Sequence, residues 1–140
     1  PVSVSAVGSS VELGVAGAHD HAMFTMRMEG DVLAQVHDSF VIPGAEGRIA
    51  VYGTQGILVA TASFAQNAPG RLILRAGGKE TAVEVERNDN YVDTLNHFLA
   101  ATRGDGRPLA TGEDGLDSLR VAEAVMRSAL SARTEAVDWR

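Results

Sequence analysis

The sequence predicts an α+β domain: a predominantly antiparallel open sheet of about six or seven strands with two helices on one face. Three observations predict it. Up to Glu86, apolar and polar residues alternate in short segments separated by Gly-, Asn- and Pro-containing turns. From Asn90 onward the apolar spacing lengthens to that of a helix. The strand-like segments form one run ahead of the helical ones, which is the order of an α+β domain and not of repeated βαβ units.

Taken in order, Pro1–Val7 alternates with Val2, Val4 and Ala6 on one face and reads as a strand. Gly8 to Asp20 is Gly- and Ser-rich and reads as loop, with an irregular edge strand expected at Val11–Val15. His21–Glu29 and Val32–Ile42 flank Gly30-Asp31 and read as a hairpin that Pro43-Gly44 stops. Arg48–Tyr52 and Ile57–Phe64 are joined through Gly53-Thr54-Gln55-Gly56, and Asn67-Ala68-Pro69-Gly70 is a turn cluster. Arg71–Ala76 and Lys79–Glu86 flank Gly77-Gly78, a second hairpin signal. Short turns imply antiparallel neighbours. Tyr91, Leu95, Phe98, Leu99 and Thr102 then form a helical stripe, with Asn88 or Asp89 to cap its start and Gly104 to stop it. Thr111 and Asp114 have the spacing of a capping box. Beyond them Leu116, Leu119, Val121, Ala122, Val125, Met126, Ala129 and Leu130 line a long helix. Its start carries Glu113, Asp114 and Asp117 and its end Arg127 and Arg133, which suits the helix dipole. Glu135–Trp139 reads as a short last strand.

Composition narrows the function. The 140 residues carry 12 Lys and Arg against 18 Asp and Glu, for a net charge of −6, and Lys79 is the single lysine. That balance argues against nucleic acid, whose backbone calls for clustered cations, and against a polybasic membrane surface. The most apolar stretch, Ile57 to Ala65, is broken by Thr61 and Ser63 and is far short of the roughly 20 residues of a membrane helix. The absence of cysteine excludes disulfides, thiolate metal sites and a Cys nucleophile, and leans toward a cytoplasmic location. Opening at Pro1 without a methionine leads us to expect a fragment or a processed chain.

Several residue groups invite chemistry. His19-Asp20-His21, with His37 or Asp38, has the look of a metal site, but spacing fixes no third ligand, and the group reads as polar residues where a Gly-rich loop joins a strand. No metal is expected. No Gly-x-Ser-x-Gly elbow supports a Ser-His-Asp triad. Gly104-Asp105-Gly106 follows a helix and has Leu109 at the third glycine position, so it reads as an interhelical connection and not as a dinucleotide loop. His97 reads as a surface or half-buried helical histidine and not as a catalytic one. Arg87-Asn88-Asp89-Asn90-Tyr91 forms a polar cluster where strand hands over to helix; it reads as a helix cap or as a ligand-facing junction. Some strands carry apolar residues on both faces, as Val32, Val36, Phe40 and Ile42 do against Leu33 and Val41. Two helices cover one face only, so the other is solvated, binds a ligand or packs on protein.

Several pieces carry a resemblance by their order: Asp20–Phe40 as a hairpin ending in a polar strand, then Arg48-Ile-Ala-Val-Tyr-Gly-Thr-Gln-Gly-Ile-Leu as strand, turn and strand. Tyr91 with Phe98, Gly106-Arg107-Pro108, Gly112-Glu-Asp-Gly-Leu-Asp-Ser-Leu-Arg-Val-Ala-Glu-Ala and Ser128-Ala129 complete the series. Over nearly the whole chain it resembles the C-terminal domain of the Gfo/Idh/MocA oxidoreductases, the glucose–fructose oxidoreductase and inositol dehydrogenase family. The resemblance implies a two-domain enzyme whose N-terminal Rossmann domain binds NAD or NADP and supplies a catalytic lysine. It implies that residues 1–140 are one substrate-facing and oligomerising domain, inactive alone, of an oxidoreductase acting on a sugar, polyol or related hydroxy compound. It carries over no catalytic residue and no cofactor contact to this chain. Arg87 and Tyr91 are the positions it assigns to substrate binding, although the family places its Arg one residue earlier. The resemblance also points to a homo-oligomer formed through the sheet. A free-standing interaction module, pairing through its bare sheet face without catalysis, is the alternative.

Overall fold

The computed structural model describes residues 1–11, 19–62, 70–86 and 88–140. The α+β class holds, with every strand pairing antiparallel. Among the described residues the strands form two sheets of four. The chain also falls into two compact units, residues 1–42 with 94–140, and residues 43–93.

The first unit holds β1 (Ser3–Ser9), β2 (His21–Arg27), β3 (Leu33–Ser39) and β8 (Glu135–Ala136) in the order β3-β2-β1-β8. A 3₁₀ turn at Glu29–Asp31 joins β2 to β3, with Gly30 and Asp31 at positive φ. The even-numbered residues of β1 and β2 face the long helix α2 (Gly112–Ser131): Val4 is fully buried with Ala124 and Val137, and Ala6, Phe24, Met26, Val121 and Val125 pack around them. This is where the alternation of β1 and the apolar stripe of α2 meet, and burying them supplies the main drive for folding this unit. Ser128, buried on α2, ties the layers together. Its Oγ accepts from the Ala6 N–H and donates to the Arg133 carbonyl.

The box expected at Thr111 is present. Thr111 Oγ1 accepts from the Asp114 N–H, and the Asp114 carboxylate accepts from the Thr111 N–H at 2.8 Å. The last strand is shorter than Glu135–Trp139, since only two residues join the ladder. The remainder is held otherwise: Val137 N donates to Val2 O, Trp139 Nε1 to Pro1 O, and Arg120 and Arg127 of α2 to the Arg140 and Ala136 carbonyls.

The second unit holds β4 (Arg48–Gly53), β5 (Gly56–Thr61), β6 (Arg71–Ala76) and β7 (Lys79–Val83), paired in sequence order. Gly77 and Gly78 both take positive φ, the conformation a two-residue hairpin requires. The helix α1 (Asn90–Thr102) begins in this unit, and the division between units falls after Asp93. None of α1's residues is buried. Among the described residues, no helix is long and apolar enough to cross a membrane.

The edge strand expected at Val11–Val15 and the turn at Asn67–Pro69 lie outside the described residues, apart from Val11.

Candidate functional site

The polar junction before α1 is built as a cap. Asp89, not Asn88, holds it: Asp89 Oδ1 accepts from the Tyr91 N–H at 2.9 Å and from the Val92 N–H at 3.2 Å. Two of the helix's first amide groups are thereby satisfied by a carboxylate at the positive end of the dipole. The Tyr91 backbone is spent on the cap, and the residue is 64% exposed. Arg87 lies outside the described residues. The junction is therefore a helix cap by its backbone.

A nucleotide phosphate needs a helix N-terminus with unspent N–H groups. Here α1 and α2 both point their first amides at carboxylates of the chain itself, Asp89 and Asp114. The Asp114 carboxyl is held below its ordinary value, first by the Thr111 N–H and then by the Thr111 hydroxyl, so a negative charge already occupies that end. At Gly104-Asp105-Gly106 the N–H groups of Gly104 and Asp105 donate to the Ala101 and Ala100 carbonyls. The glycines close the end of α1 and form no phosphate cradle. Neither helix start nor this turn, among the described residues, thus offers a cradle of unspent N–H groups to a phosphate.

The structure takes His19-Asp20-His21 apart. The His19 ring lies over Gly8 on the α2 side of the sheet, where a Cβ on Gly8 would come within 2.7 Å of it. Its Nδ1 is buried without a hydrogen-bond partner. Asp20 is buried, and its carboxylate accepts from the Val11 N–H, which pins the loop to β2. His21 pairs with Ser9 and so faces the opposite side, where its Nε2 is 2.8 Å from Nε2 of His37. The spacing of the three residues could not show this, because a part-buried hydrogen bond and a Gly-for-ring fit separate them. His97 is exposed on α1, as expected.

A second surface was only half legible. On the sheet of the second unit, Ile49, Val51, Leu58, Leu72, Leu74 and Val83 share one face. Five of these are among the exposed large hydrophobics, up to 60% at Val51. The opposite face centres on the buried Val59 and is ringed by Arg48, Arg71, Arg75 and Glu80. In the sequence, apolar residues on both faces mark the segment Val32–Ile42. The larger continuous aliphatic face lies on β4–β7, where the register brings separate alternations together. Within the first unit, a shallow 290 Å³ depression lies over β1–β3 and is lined by Ser5, Val7, Met23, Thr25 and Gln35 among others.

These features define an α+β domain with capped helix ends and uncovered sheet surface. The chain belongs to the Gfo/Idh/MocA oxidoreductases: the family model for the oxidoreductase family's C-terminal α/β domain matches residues 1–137. A 1,5-anhydro-D-fructose reductase of Ensifer adhaerens is 32% identical over 138 residues, which cover 99% of this chain and 41% of that protein. The aldose–aldose oxidoreductase of Caulobacter crescentus, solved with glycerol, superposes with a TM-score of 0.85 at 23% identity, over 97% of this chain and 41% of that one. The WlbA dehydrogenase of Bordetella pertussis, solved with NADH and UDP-GlcNAcA, gives 0.75 at 18% identity, over 99% of this chain and 41% of that one. These two structures share the fold. The chain spans about two fifths of the length of the relatives it matches.

Proposed function

We propose that residues 1–140 are the substrate-facing and self-associating domain of an NAD(P)-dependent oxidoreductase that reduces or oxidises a sugar, polyol or related hydroxy compound in the cytoplasm. The observation that carries this reading is the 32% identity to a 1,5-anhydro-D-fructose reductase along 99% of the chain. The nicotinamide cofactor belongs to a Rossmann domain in the rest of such a protein; the carboxylate-capped helix ends of this chain support that division. Tyr91 and Arg87 are the proposed substrate contacts, with the exposed Tyr91 ring as support. The test uses the two-domain protein with NADH or NADPH and 1,5-anhydro-D-fructose beside other ketoses and aldoses. Tyr91→Phe and Arg87→Ala are expected to lower kcat/KM without lowering the melting temperature. A lost hydrogen bond is worth about 0.5–1.5 kcal/mol, and one to a charged group about 1.5–3. Unchanged kinetics in both variants removes the pair from the site.

The self-association is assigned to the aliphatic face of β4–β7, whose exposed residues are contiguous across four strands. Val51→Glu is expected to convert an oligomer to a monomer in sedimentation, and a monomeric wild-type protein overturns the assignment. The same face supports the second reading, an interaction module without catalysis. That reading gains if the two-domain protein turns over no hydroxy compound yet still associates through Val51.

A further inference from the structure

We propose that Asp105-Gly106, in the turn between α1 and α2, is a self-modification site at which the chain isomerises to isoaspartate through a cyclic imide. The sequence contains two Asp-Gly steps, Asp105-Gly106 and Asp114-Gly115. Glycine has no Cβ to shield its amide nitrogen, so at such a step that nitrogen reaches the preceding carboxyl group with least hindrance. By sequence alone the two steps are equal. The structure separates them, although both lie within the first unit.

At Asp114 both reacting groups are engaged. The Gly115 N–H, the attacking group, donates to the Thr111 carbonyl at 3.1 Å. The Asp114 carboxylate accepts from the Thr111 N–H at 2.8 Å and from the Thr111 hydroxyl at 2.9 Å. Moving the Gly115 nitrogen onto the carboxyl group would break the first rung of α2. At Asp105 neither group is engaged. The hydrogen bonds that close α1 stop one residue short: the Gly104 and Asp105 N–H groups donate to the Ala101 and Ala100 carbonyls, and the Gly106 N–H donates to no described residue. Among the described residues, nothing donates to the Asp105 carboxylate. Both residues are exposed, and no atom lies within 4 Å of the place a Cβ on Gly106 would take, so nothing packs over the step.

The reaction balances with water alone. The Gly106 nitrogen bonds to Cγ of the protonated Asp105 carboxyl group. One carboxyl oxygen leaves as water with the carboxyl proton and the N–H proton. Water then adds to the main-chain carbonyl of the imide and breaks its bond to nitrogen. The chain now runs through Cγ, and a free carboxylate stands on Cα. Addition at Cγ instead restores aspartate. Nothing is oxidised or reduced, and the mass is unchanged. The product has one extra methylene in the main chain between α1 and α2. A methyltransferase that esterifies isoaspartyl carboxylates is the class of partner that reads it. The site is independent of the hydride chemistry proposed above.

The experiment ages the intact protein at neutral pH and physiological temperature and digests samples with trypsin. Cleavage after Arg103 and Arg120, with the Arg107–Pro108 bond resisting, releases both steps in one peptide, Gly104–Arg120. Electron-transfer fragmentation locates isoaspartate within it. Labelling by an isoaspartyl methyltransferase with S-adenosylmethionine counts it. Isoaspartate is expected to accumulate at Asp105 about tenfold or more faster than at Asp114, since attack at Asp114 waits for a turn held by several hydrogen bonds to open. In guanidinium chloride the two steps should age at similar rates, because the fold no longer tells them apart. Asp105→Glu should remove most of the methyl label from the native protein, because a glutamyl side chain must close a larger ring. Equal rates at the two steps in the native protein overturn the proposal. So does a native Asp105 that stays unconverted over a time in which the denatured chain isomerises there.

Discussion

On β1, Val4 is fully buried against α2; on β4, Val51 stands 60% exposed. Both are valines at alternate positions of four-stranded antiparallel sheets. Alternation therefore does not decide burial. What differs is the layer above. In the first unit, the 20-residue α2 lays Val121, Ala124 and Val125 on the sheet, and Ser128 locks helix to strand by hydrogen bonds on both sides of its hydroxyl. The aliphatic face of the second unit stays exposed. One sheet face has become core, and the other is available for contact with a second molecule.

The largest effect should come from the buried member of the pair. Val4→Ala is expected to cost about 2–3 kcal/mol, from two lost methyl groups and the cavity they leave. Val51→Ala should stay within about 0.5 kcal/mol, as surface changes do. Urea denaturation of both variants checks this, and equal losses would abolish the distinction between the two faces.

Next comes the polar lock. Ser128→Ala leaves the Ala6 N–H without its acceptor in a part-buried place and should cost about 1–3 kcal/mol. Amide exchange should show Ala6 deprotected, while the β4–β7 ladder is unaffected.

Smaller changes concern the two ends of α2. Thr111→Ala removes the cap and should cost about 1 kcal/mol. At the other end Ala132 takes φ +54°, a left-handed conformation that glycine adopts without penalty, so Ala132→Gly should raise stability by up to about 1 kcal/mol. A thermal melt of each, with opposite signs, is the expected outcome.

The smallest effect is the pH response of that cap. Asp114 has a folded value below its ordinary carboxylate value, so its contribution is present above the unfolded value and is lost as pH falls through the folded one. The first turn of α2 should therefore loosen at acid pH below the usual carboxylate range. Backbone chemical shifts of 112–116 report it, and Asp114→Asn should remove the dependence.

The sequence alone determined the class, the strand-then-helix order, most element boundaries to within two or three residues, the capping box and the family. These follow from local periodicity, turn residues and motif order, which act over neighbouring positions. Only the tertiary structure decided which of Asn88 and Asp89 caps α1, because either carries a suitable side chain and only one is placed to receive the Tyr91 N–H. Only it divided the strands into two sheets, since pairing of β8 with β1 joins residues more than 130 positions apart. It also separated His19 from His21 and joined His21 to His37, for a physical reason: the face a side chain occupies is set by strand register, and register is a property of the partner strand as much as of the residue itself.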